Sequence, residues 1–435
     1  MGVKSFDFTS SYPAVAIYQQ FPMSKGEVVE ITSNEDLNKN LSMYCCMFDI
    51  EVEGLEEKIF WEHSLSISKC WDVKGEQTDN GRIVRADHLC TTMNELDFQT
   101  FREFYKFKSI KFFNFTRYRK SYLPTPLVKT ILELYQDKTK LKGIIEELAK
   151  YTQSKGKLNA TYGMCVTDPI RDTIIYQDDW DCIGANLSEQ LDEYNHKRGR
   201  FLFYPWGVWI SAYARRNLFT AIKELGTDYI YSDTDSVKFL NYEKHKDYFI
   251  QFNKWVESML KRAMKFHGLD ESLCFPEVNG EVKTVGIWDD EGEYIRFKTL
   301  GAKRYLGYKK GRLIITVAGL NKEKGAEYLL RTFSGQPESV IDEYMKDEKM
   351  ELNLSDKELD DIFEAFTDNL IVPANYSGRL IHFYQDDEVA GEVTDYLGNT
   401  IPFDELSGVY LEESEYSLNM GTYLDFIMSL EESIR

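Results

Sequence analysis

The sequence has no run of 18 apolar residues, so it predicts no membrane-spanning helix. Its opening segment lacks the apolar core of a signal peptide, so no secretory signal is expected. The seven cysteines form no C-x-x-C pair, and no histidine stands at zinc-motif spacing from them. We therefore expect no zinc site, reduced and mostly buried thiols, no membrane partner and a cytoplasmic location.

A positive net charge is also absent, because 72 acidic residues outnumber 52 basic ones. The excess is uneven, since residues 321–435 carry 27 acidic and 8 basic side chains. The balance argues against a basic nucleic-acid coat protein, but residues 1–320 are nearly neutral and can carry basic patches. With 43% hydrophobic residues, the 435-residue chain can bury cores in roughly two to four domains.

Local patterns predict a mixed chain of helices and strands. We expect a strand and a short helix over 5–16 and antiparallel strands over 23–100. Apolar residues at helical spacing predict a helix from Leu127 to Leu148, followed by a tight loop and a second helix through 155–162. Further expectations are a hairpin over 172–185, helices over 208–225, 255–266 and 356–366, and strands over 282–317.

The run YSDTDS, residues 231–236, is the sharpest chemical signal. In a hairpin, its two aspartates project into one small volume and repel each other. Divalent cations relieve such repulsion, and Mg²⁺ prefers carboxylates together with phosphate oxygens. The alternative interpretation is an ordinary aspartate-rich β-turn.

Two other segments supply complementary groups. The run DFTSSYP, residues 7–13, has a carboxylate at a strand end and a turn whose N–H groups suit phosphate; a capped helix start is the alternative. In KGKLNATYG, residues 155–163, one helical face carries a lysine, an asparagine and a tyrosine, which can grip a triphosphate and stack on a base. The alternative is a helix end capped by Gly163 with Tyr162 in the core.

Taken in order, these segments resemble motifs A, B and C of the family B DNA polymerases: D-x-x-S-L-Y-P, K-x-x-x-N-S-x-Y-G and Y-x-D-T-D-S. Ser11 replaces leucine and Ala160 replaces serine. The resemblance implies an α+β, right-hand polymerase with palm, fingers and thumb. It also implies template-directed transfer of a nucleotide from dNTP to a primer 3′-OH or a terminal-protein hydroxyl.

Spacing narrows the resemblance to the protein-primed subgroup of phages and linear plasmids. The 141 residues between Pro13 and Lys155 look like its first terminal-protein-region insertion. Segments 204–222 and 286–308 resemble the stretch before motif C and the K-x-Y region. The implied division is palm with motif A, 1–23; first insertion, 24–123; fingers with motif B, 124–163; second insertion hairpin, 164–203; palm with motif C and K-x-Y, 204–320; acidic thumb, 321–435.

The resemblance also implies individual roles. Asp7 and Asp235 are expected to hold two Mg²⁺ ions, for which Mn²⁺ can substitute, with Asp233 as a supporting catalytic carboxylate. The implied nucleotide-binding residues are Tyr12, Lys155, Asn159, Tyr162, Lys142 and Lys138. The implied DNA-binding residues are Lys303, Arg304, Tyr305, Ser211, Arg215 and Thr234. Tyr12 is expected to lie below the sugar and to exclude a 2′-OH.

Proofreading is not expected. Asp49-Ile50-Glu51 imitates an exonuclease D-x-E, but it follows motif A and lies inside the insertion, so both acids are interpreted as solvent-facing strand residues. Primer-template DNA, dNTPs, a terminal protein and a separate exonuclease chain are the expected partners, in the host cytoplasm if the chain is phage-encoded. The alternative function is an incomplete half of a split polymerase, or a remnant that only binds DNA or terminal protein.

Two basic and aromatic stretches remain. Residues 104–120 and 297–312 each combine six cations with several aromatic rings and contain no acid. Such mixtures suit a nucleic-acid strand. For 104–120 the alternative is a strand pair with a basic outer face, whereas for 297–312 the K-x-Y resemblance favours phosphate contact.

Overall fold

The computed structural model describes residues 2–177, 179–197, 203–347, 349–373 and 376, and the short segments 379–383, 392–394, 400–402, 408–412 and 416–417. The chain folds as two compact units. The larger is Lys4–Glu291, and the smaller combines Met1–Val3 with Gly292–Arg435. Among the described helices, none is long and apolar enough to cross a membrane.

The described helices are numbered in chain order. They are α1 Ser11–Tyr18, α2 Asn34–Met43, α3 Glu95–Phe104, α4 Thr125–Lys140, α5 Leu148–Val166, α6 Leu187–His196, α7 Tyr204–Leu225, α8 Tyr242–His267, α9 Lys322–Phe333, α10 Glu338–Lys346 and α11 Asp356–Ala365.

The strands of residues 1–183 are β1 Val3–Phe8, β2 Phe21–Pro22, β3 Glu27–Val28, β4 Cys45–Glu57, β5 Cys70–Lys74, β6 Gln77–Asp79, β7 Arg82–Asn94, β8 Tyr105–Lys106, β9 Ser109–Tyr118, β10 Lys120–Ser121, β11 Thr173–Gln177 and β12 Asp179–Ile183. Those that follow are β13 Tyr229–Asp233, β14 Ser236–Phe239, β15 Glu277–Val278, β16 Glu281–Val282, β17 Trp288–Tyr294, β18 Arg296–Gly301, β19 Arg304–Lys309, β20 Arg312–Val317, β21 Ile371–Val372, β22 Arg379–Phe383, β23 Glu392–Thr394, β24 Thr400–Pro402, β25 Gly408–Glu412 and β26 Tyr416–Ser417.

A four-stranded sheet, ordered β13-β14-β1-β17, lies at the centre of the chemistry predicted from the sequence. Side chains along each strand point alternately to the two faces of this sheet, and the apolar face packs on α8. Phe6 stacks on Phe249 with ring centroids 4.3 Å apart, and Phe8 meets Trp288 edge to face at 5.1 Å. Alternation leaves the other face for polar side chains. The antiparallel pairing of β13 with β14 confirms the hairpin predicted around residues 231–236.

The predicted β-rich region folds as a seven-stranded sheet with the main order β3-β9-β4-β7-β5, to which β6 and β8 add at the side. Its described pairings are antiparallel. Phe48, Ile50 and Val52 of β4 are buried, and Phe98 of α3 packs on Phe48 with centroids 5.5 Å apart. Alternate residues of β4 therefore form the core, and the remaining ones form an outer, polar face.

The helix predicted from Leu127 to Leu148 ends earlier in the structure, so the predicted end is wrong. Helix α4 ends at Lys140, Gly143 adopts a left-handed φ of 84°, and Ile144, Ile145 and Leu148 are exposed. Glycine reaches this conformation without a Cβ clash, so the helical spacing of the apolar residues does not extend the helix. The alternative that Gly163 caps the second helix is also wrong, because α5 continues to Val166.

Other elements follow the predictions. The strand and short helix near the start, the hairpin β11–β12, the end of helix α7 at Leu225 and helix α11 are confirmed. The predicted helix over 255–266 is the second half of the longer α8.

The smaller unit is built on a three-stranded antiparallel sheet, β18-β19-β20, covered by α9, α10 and α11. Leu306 and Ile315 of the sheet and Leu329, Ile341 and Ile362 of the helices form its core. The predicted boundary at residue 320 and the observed division at Glu291 differ, and the six-part division of the chain stays a prediction. Most of the predicted acidic thumb beyond residue 373 lies outside the described residues.

Candidate active site

Strand pairing brings motifs A and C together. In the antiparallel pair of β1 and β14, Asp7 lies opposite Ser236, and the Phe8 amide donates to the Asp235 carbonyl at 2.8 Å. Asp233 is the cross-strand partner of Ser236 on its other side. Carboxylates separated by more than 220 residues of sequence thus meet at one sheet end.

The hairpin that carries two of these acids is tight. Thr234 adopts a left-handed φ of 56°, and the Asp235 amide donates to the Asp233 carbonyl at 2.6 Å. The Thr234 hydroxyl donates to the Asp233 carboxylate at 3.1 Å. A threonine in this backbone region is uncommon and costs energy.

The Asp7 carboxyl group lies in a half-buried, acidic environment. Burial, followed by the charges of Asp235 and Glu291, raises the pKa of Asp7 to about 7. The charge of Lys238 acts in the opposite direction. A divalent cation between such carboxylates would remove their repulsion, and carboxylate oxygens are the donors that Mg²⁺ prefers. The donor set at Asp7 and Asp235 therefore fits Mg²⁺.

Of the lysines predicted to bind nucleotide, Lys138 is influenced by the charges of two others, Lys155 and Lys142, and by those of Asp7 and Asp235. Lys138 is half-buried and donates to the Ser10 hydroxyl at 2.8 Å. Burial, and then the charges of Lys155 and Lys142, lower the pKa of Lys138, while Asp7 and Asp235 oppose that shift. A concentration of positive charge next to carboxylates suits a polyphosphate, which would neutralise the lysines.

Lys140 differs from its neighbours. It is exposed, and its ammonium donates to Gln136 at 2.8 Å on α4 itself. Gln136 in turn donates to the carbonyls of Ser272 and Leu273 at 3.3 Å. Lys140 thus belongs to another side of the helix, which makes it a natural control for Lys138.

The aromatic residues of motifs A and B meet directly. Tyr12 of α1 and Tyr162 of α5 have ring centroids 4.8 Å apart. Burial, followed by the influence of Tyr162, raises the pKa of Tyr12. Both tyrosines are half-buried, whereas Lys155 and Asn159 of the same α5 face are exposed. The helical face predicted from i, i+4 and i+7 spacing is therefore present on α5, and its last residue, Tyr162, contacts motif A.

Helix α7 carries two of the predicted DNA-binding residues. Arg215 makes a two-point contact with Asp97, at 3.1 Å from Nε and 2.7 Å from a terminal nitrogen. Ser211, one turn earlier, donates to the Val208 carbonyl at 2.9 Å. Arg215 also acts electrostatically on Tyr12, so α7 reaches the motif A surface.

The predicted Lys303-Arg304-Tyr305 group lies in the smaller unit. Lys303 is exposed in the β18–β19 turn with a left-handed φ of 53°, and Tyr305 packs on Phe297 with centroids 5.4 Å apart. Arg304 is 4% exposed and binds Asp368 and the Leu300 carbonyl. Within this group, Lys303 offers the most accessible charge, and Arg304 holds its own unit together.

Sequence reasoning missed three charged residues on the same sheet face. Lys238 of β14 is 3% exposed and donates to the Ser236 hydroxyl at 3.3 Å. Glu291 of β17 accepts from the Ser5 hydroxyl at 2.8 Å, and its charge, like that of Asp289, acts on Asp7. The sequence signal that could have identified these residues is their alternation with core residues along β14 and β17.

The exonuclease-like acids lie on the seven-stranded sheet. Asp49 accepts from Thr92 at 2.6 Å and from Asn114 at 2.7 Å, and Glu51 pairs with Lys111 at 3.0 Å. Both acids are half-buried members of the outer face of β4. The interpretation as outward strand residues is confirmed.

The basic stretch 104–120 is partly neutralised across strands. Lys106 pairs with Glu56 at 2.8 Å, Lys111 pairs with Glu51, and Arg117 binds Glu27 at 3.0 Å. These contacts favour the alternative of a strand surface whose cations meet acids of neighbouring strands.

Comparisons with known proteins agree with the motifs. No family model matches the sequence. Over 308 residues, 69% of this chain, it is 24% identical to the DNA polymerases of Bacillus phages PZA and phi29, and the match covers 44% of those proteins. The chain therefore spans less than half of the length of the relatives it matches.

Solved structures show the same fold. Phi29 DNA polymerase complexed with primer-template DNA and incoming nucleotide substrates aligns with a TM-score of 0.56 and 14% identity, covering 96% of this chain and 58% of that one. An orthorhombic crystal form of phi29 DNA polymerase gives 0.54 with the same coverage. The chain thus shares the right-hand polymerase fold of phi29 DNA polymerase and is similar in sequence to the phage DNA polymerases over 69% of its length.

Proposed function

We propose that this chain catalyses template-directed DNA synthesis from dNTPs. The observation that carries the proposal is the meeting of Asp7 and Asp235 across β1 and β14, beside the lysines of α4 and α5. Carboxylates that suit a metal ion and lysines that suit a triphosphate thus lie side by side, as a metal–nucleotide complex requires. The similarity to phage DNA polymerases, which covers part of their length, supports the same reaction.

The proposed chemistry is nucleotidyl transfer at the two aspartates. Asp7 and Asp235 would hold Mg²⁺, or Mn²⁺ in its place, and the bound ions would supply Lewis-acid activation of the attacking hydroxyl and charge neutralisation of the leaving pyrophosphate. Asp233 supports the hairpin through its contact with Thr234. The nucleophile is a primer 3′-OH or a terminal-protein hydroxyl.

The nucleotide is proposed to lie between α1, α4 and α5. Lys155, Lys138 and Lys142 bind the triphosphate, and their fixed charge stabilises negative charge that develops during transfer. Tyr12, held against Tyr162, blocks a 2′-OH. Asn159 and Tyr162 frame the nascent base pair.

The proposed DNA contacts come from Lys303, Tyr305, Ser211, Arg215 and Thr234, whereas Arg304 positions the turn from inside. Primer-template DNA and dNTPs are the proposed partners, with a terminal protein and a separate exonuclease chain as further ones, in the cytoplasm of the host if the chain is phage-encoded. The six-part division stays part of this proposal, and we expect no exonuclease activity from Asp49 and Glu51.

Primer extension tests the proposal. The purified chain is mixed with a labelled primer-template, four dNTPs and Mg²⁺, with Asp235→Asn as the control and a gel-shift assay for DNA binding. We expect extension by the natural chain only, and DNA binding by both proteins. DNA binding without extension by either would contradict the proposal and favour the binding-only alternative.

A further inference from the structure

A second group of metal-ligating side chains lies on the outer face of the seven-stranded sheet. Antiparallel pairing of β4 with β7 sets Glu51 opposite Cys90 and Glu53 opposite His88. Directly opposite residues share a face, and residues two apart on a strand do too. The pairing thus places a thiol, an imidazole and two carboxylates on one patch, in a part of the larger unit that the proposed polymerase site does not use.

An irregularity in β5 adds another carboxylate. Trp71 pairs with Cys90, but the next ladder partner, His88, pairs with Lys74, so β5 contains one extra residue. Asp72 takes up this bulge with a left-handed φ of 47°. Bulges re-aim side chains, and here the Asp72 carboxylate reaches Nε2 of His88 at 3.0 Å. The bulge therefore points the Asp72 carboxylate at the histidine.

The two nitrogens of His88 have different surroundings. Nδ1 lies 2.8 Å from Glu53, while Nε2 faces both Asp72 and the Cys90 sulfur, the latter at 4.0 Å. A carboxylate on one ring nitrogen, with the other nitrogen turned to further ligands, is the arrangement of metal-bound histidine. With Zn–N, Zn–O and Zn–S bonds of about 2.0–2.3 Å, tetrahedral Zn²⁺ sets such ligand atoms about 3.3–3.6 Å apart.

We propose that His88, Cys90 and Asp72 form a binding site for a thiophilic divalent ion such as Zn²⁺, with Glu53 orienting the imidazole. Glu51, whose carboxylate lies within 4.8 Å of the Glu53 and His88 ligand atoms, is available as a fourth ligand. The distances from His88 Nε2, 3.0 Å to Asp72 and 4.0 Å to the Cys90 sulfur, lie near those required, and the bound ion would draw the Asp72 and Cys90 side chains toward each other. The bound ion links β4, β5 and β7.

This site was not expected from the sequence, because His88-Leu89-Cys90 has strand spacing and lacks the C-x-x-C signature. The rival interpretation is a protonated His88 that bridges Glu53 and Asp72 as an ion pair. The thiol separates the two interpretations, because the ion pair does not use Cys90 and the metal site does.

Cobalt absorption tests the site. Co²⁺ is titrated into the full chain under a non-thiol reductant, and thiolate-to-cobalt charge-transfer absorption is recorded. We expect about one equivalent of Co²⁺ to produce the band and Zn²⁺ to abolish it. Cys90→Ser and His88→Gln should remove the band. Cys182→Ser, which changes an exposed thiol, and Asp235→Asn, which changes the polymerase site, should keep it.

Either of two outcomes would overturn the proposal: no charge-transfer band in the natural chain, or a band that persists in Cys90→Ser. Thermal unfolding gives a second readout for the folded variants. Zn²⁺ should raise the melting temperature of the natural chain and of Cys182→Ser, and leave that of Cys90→Ser unchanged. An equal rise in Cys90→Ser would also contradict the site.

Discussion

At the scale of single residues, the site combines groups that sequence spacing identifies and groups that only folding reveals. Asp7, Tyr12 and Asp235 stand in recognisable motifs, so the sequence predicts a role for each, and these roles stay predictions. Lys238 and Glu291 could not be, because their importance comes from lying on the same sheet face as Asp7. A one-residue change of register would send them to the opposite face.

Tyr12 is predicted to select the sugar. Its ring is held by Tyr162 at 4.8 Å, so it has limited freedom to make room for a 2′-OH. Tyr12→Val should lower the preference for dNTP over rNTP by roughly ten- to a hundredfold, measured by single-nucleotide incorporation. Tyr12→Phe, which keeps the ring, should retain the preference. An unchanged ratio in the valine variant would refute this role.

Lys138 is predicted to bind the triphosphate. Lys138→Ala should raise the apparent KM for dNTP roughly tenfold, about 1.4 kcal/mol, with a smaller effect on DNA affinity. Lys140→Ala removes the same charge from the same helix, but Lys140 contacts Gln136, so its KM should stay near that of the natural chain. Equal effects of the two substitutions would mean that only overall charge matters.

At the scale of elements, patterns of apolar residues predicted most helices and strands but not where α4 stops. Ile144, Ile145 and Leu148 keep helical spacing, yet Gly143 turns the backbone and the three side chains are exposed. The seven-stranded sheet was predicted as β-rich, but its order was not, since register between distant strands has no local sequence signal.

Glu95 joins three elements of the larger unit. It is the first residue of α3, and its carboxylate accepts from the Cys46 amide of β4 and from Trp209 of α7, each at 2.8 Å. Burial raises its pKa from 4.5 to about 7, and the two donors only partly oppose this. Folded Glu95 therefore holds a proton that the unfolded chain releases between these two pH values.

Stability should accordingly fall as pH rises from about 4.5 to about 7, and this contribution is at most about 3 kcal/mol. Glu95→Gln cannot titrate, so the free energy of unfolding should depend less on pH in this window. Urea unfolding at pH 5 and pH 8 measures the difference, with the exposed Glu35→Gln as control. Parallel pH profiles for the natural chain and Glu95→Gln would contradict the assignment.

The β18–β19 turn is predicted to contact the DNA backbone through Lys303. Lys303→Ala should weaken binding to all sequences alike and reduce the slope of log affinity against log salt by about 1. Lys310→Ala is the matched control, because Lys310 is also exposed and left-handed, in the β19–β20 turn of the same sheet. Salt titrations with fluorescent primer-template measure both slopes, and equal slopes would remove the special role of Lys303.

At the scale of the whole molecule, an acidic chain with a net charge of −20 is proposed to act on a polyanion. The uneven distribution of charge along the chain makes this compatible, since 27 of the 72 acidic residues fall in residues 321–435. The right-hand fold could be predicted from the three motifs. The division of the chain at Glu291 could not, because no proline-, glycine- or serine-rich linker marks it.

Whether Asp7 and Asp235 are the catalytic carboxylates is tested most directly by the rate of primer extension by three isosteric variants, Asp7→Asn, Asp235→Asn and Asp290→Asn. Each removes one negative charge, but Asp290 pairs with Lys4 at 2.7 Å and, by strand alternation, faces away from Asp289 and Glu291, which act on Asp7. We expect a loss of roughly a thousandfold for Asp7→Asn and Asp235→Asn and near-normal synthesis by Asp290→Asn. Robust extension by either of the first two would contradict this assignment.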